Sequence, residues 1–283
     1  MIVYKSVRKT YGNITAVRDL NMAVQQGEFF GLLGPNGAGK TTIIRMTMAL
    51  TPPTSGSIEI GGQKIRRDST EIKQKFGIVP QYSNLENDLT AYENLEFHGR
   101  LYGLSKQLRR RRIDELLEFA DLTGRKNDIA RSFSGGMQRK LMIAKTLMHD
   151  PEIMLLDEPT VGLDATTRRK IWDFLRQLRE NGLTIFMTTH YLEEAQALCE
   201  RVGLIDEGAL IMLDTPERII ESSGRFVLDC FQGGKTTQEF FEDRASAIAA
   251  AGQLEGGFKV REANLEDAFI KLTNKDLGVR HEI

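Results

Sequence analysis

The segment Gly34-Pro35-Asn36-Gly37-Ala38-Gly39-Lys40-Thr41 constrains this chain more than any other. The apolar run before it, Phe29 to Leu33, reads as a buried strand, and Thr42 to Leu50 after it reads as a helix. A glycine loop that closes from a strand into a helix N-terminus points several unpaired backbone N–H groups at one spot, and the helix dipole adds partial positive charge there. Such a cradle suits phosphate. Its glycines keep Cβ atoms out of the way, Lys40 can reach terminal phosphates, and the Thr41 hydroxyl can ligate Mg²⁺.

A strand–loop–helix unit of this kind belongs to an α/β fold whose ligands gather at the carboxyl edge of an open sheet. Three later strands end in polar residues that suit the same edge. Phe76 to Val79 leads to Pro80-Gln81, Ile153 to Leu156 runs into Asp157-Glu158, and Leu183 to Met187 closes on Thr188-Thr189-His190. Two adjacent carboxylates at the tip of an apolar strand are costly unless something cationic or reactive uses them. Asp157 can hold Mg²⁺ through water, and Glu158, pointing to the other side, can polarise an attacking water. Gln81 reads either as an ordinary polar strand end or as an amide offered to the ligand. His190, at a terminus of the same kind, converges on that site.

Two further stretches suggest ligand contact. Ser134-Gly135-Gly136 precedes a helix starting near Met137, so it is either a simple serine N-cap or a second anion site. Tyr11 lies in the Tyr11-Gly12-Asn13 turn between two alternating strands, where its ring suits stacking on a planar base or packing on the surface.

With 283 residues, 41% of them hydrophobic, the chain can form one large α/β domain and a smaller appendage. Residues 89–149 show helical periodicity without strand patterns, which predicts a helical subdomain inserted into the sheet domain. Arg109 to Arg112 spread around a helix and predict a solvated, ion-paired surface. Phe226 to Phe231 and Phe258 to Val260 read as strands, with Phe240 to Ala251 and Leu265 to Leu272 as helices. A formal charge of -1, from 38 basic and 39 acidic residues, gives no overall pull toward nucleic acid or anionic membrane. No apolar run approaches the roughly 18 residues of a membrane span, so a membrane role requires a partner chain. Cys199 and Cys230 form no CxxC pair, which argues against a zinc site or disulfide framework and makes a reducing compartment the default.

Taken in order, Tyr11, GPNGAGKT, Gln81, SGG, IMLLDE, Gly162-Leu163-Asp164 and His190 closely resemble the nucleotide-binding domain of ATP-binding cassette (ABC) transporters across roughly residues 1 to 215. The resemblance implies a P-loop NTPase cassette: a mixed central sheet, an antiparallel β subdomain and a helical signature subdomain over about residues 82–150. Residues 216–283 then form a small C-terminal α/β appendage. It implies that Tyr11 stacks on adenine, that Gly34, Pro35, Asn36, Gly37, Ala38, Gly39, Lys40, Thr41 and Thr42 form the phosphate loop, and that Gln81 senses Mg²⁺ and touches the membrane partner. Ser134, Gly135 and Gly136 would be the signature, covering the γ-phosphate held by a second cassette. Asp157 and Glu158 would be the Walker B pair, Asp164 the D-loop and His190 the switch histidine. On this reading Glu158, His190, Gln81 and Lys40 carry catalysis, and Thr41, Gln81 and Asp157 surround the metal.

The implied protein is an ATP-hydrolysing motor subunit using ATP and Mg²⁺. It works as a homodimer, or as a heterodimer with a homologous cassette, on an integral-membrane permease at the cytoplasmic face of the cell membrane. FSGGM, Glu93 to Gly103 and Asn264 to Thr273 resemble the type-2 export branch, although Phe133 and Met137 depart from the commonest LSGGQ signature. A soluble ABC ATPase regulating a nucleic-acid or ribosomal process is the alternative. Such relatives usually carry two cassettes or a long coiled-coil insertion, and neither is visible here.

Overall fold

The computed structural model describes residues 1–232, 235–254 and 256–273. Residues 274–283, the end of the expected appendage, lie outside the described residues.

Alternating apolar residues form the first hairpin, β1 (Ile2–Tyr11) and β2 (Ile14–Val24), turning at Gly12-Asn13. Strand β3 (Phe29–Leu33) is buried throughout and enters the glycine loop and α1 (Lys40–Thr47). The helix thus begins two residues earlier than its apolar pattern predicts, with Lys40 and Thr41 already in its first turn. It also ends earlier, because Ala49 takes the left-handed φ of 52° and Leu50 N–H turns back to the Arg45 carbonyl.

Next come β4 (Ser55–Ile60), β5 (Gln63–Lys64), the short α2 (Thr70–Gln74) and β6 (Phe76–Val79). Three helices then follow without a strand: α3 (Ala91–Leu101), α4 (Lys106–Phe119) and α5 (Gly135–Leu147). Each begins at a hydroxyl cap, and Thr90 with Glu93 forms a full capping box on α3. The arginine run lies on α4, where Arg109 pairs with Glu96, Arg111 with Glu115 and Arg112 with Asp150.

The chain continues through β7 (Ile153–Asp157), α6 (Ala165–Glu180), β8 (Thr184–Thr189), α7 (Leu192–Leu198), β9 (Arg201–Asp206) and β10 (Ala209–Asp214). Last are α8 (Pro216–Ser223), β11 (Phe226–Gln232), β12 (Lys235–Phe241), α9 (Arg244–Ala251), β13 (Gly257–Glu262) and α10 (Leu265–Thr273). Phe240 and Phe241 therefore close a strand and do not open a helix; α9 starts only where Asp243 caps it by accepting from Ser246 N–H.

The central sheet has the order β10-β9-β3-β8-β7-β6, parallel except for β10 at one edge. Both faces are covered, as such a sheet requires. Phe29, Leu33, Met154 and Met187 face a core shared with α3 to α7, whereas Phe30, Leu32, Leu155 and Phe186 face α1 and the antiparallel sheet β2-β1-β4-β5. The C-terminal strands form their own sheet, β12-β11-β13, over a small core of Leu228, Cys230 and Ala251. Ile219 of α8 and Leu265, Ala268 and Phe269 of α10 instead join the core of the main sheet. The fold is the mixed-sheet α/β cassette that the resemblance implies.

Candidate active site

Register brings the polar strand ends together. Leu33 pairs with Thr189, Asp157 with Thr188 and Val79 with Leu156, so the glycine loop, His190, Glu158 and Gln81 all follow strands that stop at one edge. Asn36, Gly37, Gly39, Lys40, Thr41, Thr42, Gln81 and Glu158 line one pocket there, together with Ala16 of β2. Glycine is required at two loop positions. A Cβ on Gly34 would lie 2.1 Å from the Ile205 carbonyl, and Gly39, at φ 106°, would place one 2.4 Å from that of Ala16. Helix α1 has no side-chain cap and no acidic residue in its first turn, leaving its amides available to an anion. Gly34, Pro35 and Ala38 shape the loop from behind: Ala38 N–H bonds to the Pro35 carbonyl, and the Ala38 carbonyl accepts from Gly208 N–H.

Lys40 Nζ donates to the carbonyls of Gly34 (2.6 Å) and Pro35 (3.1 Å) and lies 3.2 Å from Glu158 Oε1. Glu158 Oε2 accepts from His190 Nδ1 at 2.7 Å and from the His190 backbone N–H at 3.3 Å. An ionised carboxylate only accepts, so the histidine proton sits on Nδ1. Burial alone pushes the Glu158 pKa up, but the His190 hydrogen bond and the Lys40 charge outweigh it and hold the carboxyl below its ordinary range. Glu158 also has the left-handed φ of 51°, a strained conformation for a residue with a Cβ.

Asp157 is fixed beside it. Its Oδ1 accepts from Thr188 Oγ1 at 2.5 Å and lies 3.5 Å from Thr41 Oγ1. The Thr41 hydroxyl and Asp157 carboxylate at this spacing form a hard-oxygen pair that fits Mg²⁺, and Gln81 lines the pocket that Thr41 also lines.

Not every sequence candidate joins this pocket. Tyr11 is 44% exposed at the end of β1, with Lys9 Nζ 4.9 Å from its ring centroid, and is not among the pocket's lining residues. Ser134, Gly135 and Gly136 also lie outside it. Ser134 caps α5 by accepting from Met137 N–H, and α5 starts at Gly135, not near Met137. This tip packs on the segment carrying Asp164. A Cβ on Gly135 would come 3.2 Å from Leu163, and one on Gly136 would come 2.3 Å from Thr167 Cγ2. Asp164 itself caps α6, accepting from Thr167 N–H and Oγ1, bonds that lower its pKa.

Sequence reasoning missed three supports. Thr188 orients Asp157. Arg139, from the helix that follows the Ser-Gly-Gly tip, donates to the carbonyls of Pro80 and Gln81 and so ties the Gln81 segment to α5. Glu194 of α7 is fully buried and bonded to Thr160 and Trp172. A basic residue on the buried side of α5 and an acidic one inside α7 were the available signals.

Comparisons agree with this architecture. The family model described as ABC transporter matches residues 17–161. Nod factor export ATP-binding protein I of Cupriavidus pinatubonensis is 40% identical over 96% of this chain and 90% of its own length. Linearmycin resistance ATP-binding protein LnrL of Bacillus subtilis is 46% identical over 76% of this chain and 69% of its own. Among solved structures, the cassette MJ0796, captured as a dimer in a post-hydrolysis state with ADP and Pi, superposes with a TM-score of 0.68. It is 34% identical and covers 76% of this chain and 98% of its own.

Proposed function

This chain belongs to the ABC transporter family as an ATP-binding subunit, and on that premise we propose that two such cassettes close around MgATP and drive an integral-membrane permease in the export direction. The observation that carries this reading is the shared edge holding the glycine cradle, Lys40, Glu158 and His190, with the Ser134 tip outside it.

In this mechanism the first-turn amides of α1 and the Lys40 ammonium bind the phosphates, and Tyr11 stacks on the base at the end of β1. Thr41 and Asp157, with Gln81 adjoining, would hold Mg²⁺, which would supply charge neutralisation on the phosphate oxygens. Glu158 accepts a hydrogen bond from the attacking water and, held by His190, aims it at the γ-phosphorus. The new bond forms from water oxygen to phosphorus as the bond to the bridging oxygen breaks, leaving ADP and phosphate. Because Ser134, Gly135 and Gly136 are not among the residues lining the pocket of their own chain, we assign them to the nucleotide held by the second cassette. There the N-terminus of α5 stabilises transferring charge from the far side, and closure is a population shift driven by nucleotide.

No helix among the described residues is long and apolar enough to cross a membrane. We assign the membrane connection to protein contact at the cytoplasmic face. Phe97 and Leu101, one turn apart on α3, and Tyr82, next to Gln81, are apolar yet 46%, 67% and 81% exposed, and we assign them to the permease. Export is the activity in the name of the Nod factor relatives, and we carry that direction to this chain.

Ser134→Arg tests the composite site. It should leave nucleotide capture by the same chain intact while abolishing turnover and ATP-dependent dimers on size exclusion; undiminished turnover overturns the shared site.

A further inference from the structure

Behind the Glu158–His190 pair lies a second carboxyl that the scheme above does not use. Glu194 has no solvent exposure. Its Oε1 accepts from Thr160 Oγ1 at 2.9 Å and from the Trp172 indole N–H at 3.2 Å, and the Thr189 hydroxyl, next to His190, also acts on the carboxyl. Burial pushes its pKa up, and the hydroxyl and indole donors recover only part of that shift.

The placement of these contacts is informative. Thr160 follows Glu158 by two residues, and Glu194 follows His190 by four. The Thr160–Glu194 bond therefore runs beside the Glu158–His190 bond and joins the same two segments a second time. Trp172 adds a third segment, α6, whose cap is Asp164. A carboxyl sealed in a core is costly where an apolar residue would pack without penalty. A strained Glu158 also persists only where its surroundings over-determine it, and an anchored Thr160 is one such constraint.

We propose that Glu194 is a positioning residue for ATP hydrolysis: by gripping Thr160 and Trp172 it fixes the spacing of Glu158 and His190 and links the Thr160-to-Asp164 segment to α6. The proposal rests on the reading of Glu158 and His190 as the hydrolytic pair. It also supplies a reporter, because Trp172 is the only tryptophan in the sequence.

The test uses the full chain with Glu194→Ala, Glu194→Gln and Thr160→Val, measuring steady-state hydrolysis, binding of a fluorescent ATP analogue and Trp172 emission. Glu194→Ala and Thr160→Val should each lower kcat on the order of 10- to 100-fold, the scale expected when a reacting group is slightly misplaced. KM for ATP should move by less than about threefold, since nucleotide binding is not touched. Glu194→Gln keeps the acceptor oxygen and the shape and should restore most of kcat. Wild-type emission should change on adding MgATP, and the change should shrink in Thr160→Val. If Glu194→Ala does not fold, the isosteric Thr160→Val decides the matter alone. Wild-type kcat in Thr160→Val, or a raised KM at constant kcat, overturns the positioning role while a dead Glu158→Gln leaves the pair intact. A Glu158→Gln enzyme that turns over near the wild-type rate removes the underlying pair instead.

Discussion

Lys40 Nζ lies 3.2 Å from Glu158 Oε1, and each side chain is only 6% exposed. The two charges hold one another in place where neither would be stable alone. They also compete, because an ammonium that neutralises Glu158 is the same group that must reach a terminal phosphate. On the proposed mechanism, a phosphate seated in the loop would draw Lys40 toward itself and leave the Glu158 carboxylate to His190 and to water, so that substrate would expose the group proposed as its base.

Replacing Glu158 with Gln preserves an acceptor for His190 and removes the charge. ATP binding should persist, turnover should fall by about 10²- to 10⁴-fold, the range for losing a general base, and ATP-dependent dimers should accumulate on size exclusion. A rate near wild type removes Glu158 from its role.

Replacing Lys40 with Ala should abolish tight ATP binding and also change acid stability. The Glu158 pKa is lowered in the fold, so its contribution is fully present above the unfolded value of about 4.3 and is lost as pH falls through the lower folded value. Without Lys40 the folded value rises, because a cause of the lowering is gone while burial remains. Circular dichroism on acidification should therefore show Lys40→Ala losing structure at a higher pH than wild type; coincident acid transitions refute the coupling.

A second acid response comes from the far end of the central strands. His98 and His149 pack with Tyr102, whose ring is stacked on His149 at 3.8 Å, and among the described residues His98 Nε2 and His149 Nδ1 are buried without partners. Burial, aided by the neighbouring His149 and Lys145, lowers His98 to about 4. An unfolded histidine titrates near 6.5, so between there and about 4 the unfolded chain binds a proton that the fold refuses, and stability falls as pH drops through that window. His98→Phe keeps an aromatic side chain and removes the titration. Its melting temperature should fall less than that of wild type between about pH 7.5 and about pH 5, and an equal fall counts against the assignment.

The strand ends were legible because chemistry at a sheet edge is written as a local pattern: an apolar run closing on Gln81, on Asp157-Glu158 or on His190. The start of α1 was misread by two residues because Lys40 and Thr41 are polar and break the apolar period, although their backbone is already helical. The turn from β12 into α9 was misread for the opposite reason, since Phe240 and Phe241 continue an apolar pattern across the Asp243 cap. Arg139 and Glu194 were illegible because their partners, the Pro80 and Gln81 carbonyls and Thr160, are distant in sequence and assembled only by packing. Helix α7 leaves little apolar period in the sequence because it is only seven residues long and begins two residues after His190.

The contact between Gly136 and Thr167 gives the sharpest test of the packing behind the Ser134 tip. An added Cβ at Gly136 would come 2.3 Å from Thr167 Cγ2, well inside van der Waals contact. Thr167 is not free to rotate away, because its hydroxyl donates to Asp164 Oδ2 at 2.6 Å and its N–H to Asp164 Oδ1 at 2.9 Å. Gly136→Ala must therefore either push α5 from α6 or break the Asp164 cap, and overpacking of this kind costs roughly 1–3 kcal/mol. Thr167→Ser deletes Cγ2 and keeps the hydroxyl that Asp164 holds. The double variant Gly136→Ala with Thr167→Ser should recover most of the stability lost by Gly136→Ala, read as a non-additive difference in chemical denaturation. If the two changes simply add, steric conflict with Thr167 is not what reserves this position for glycine.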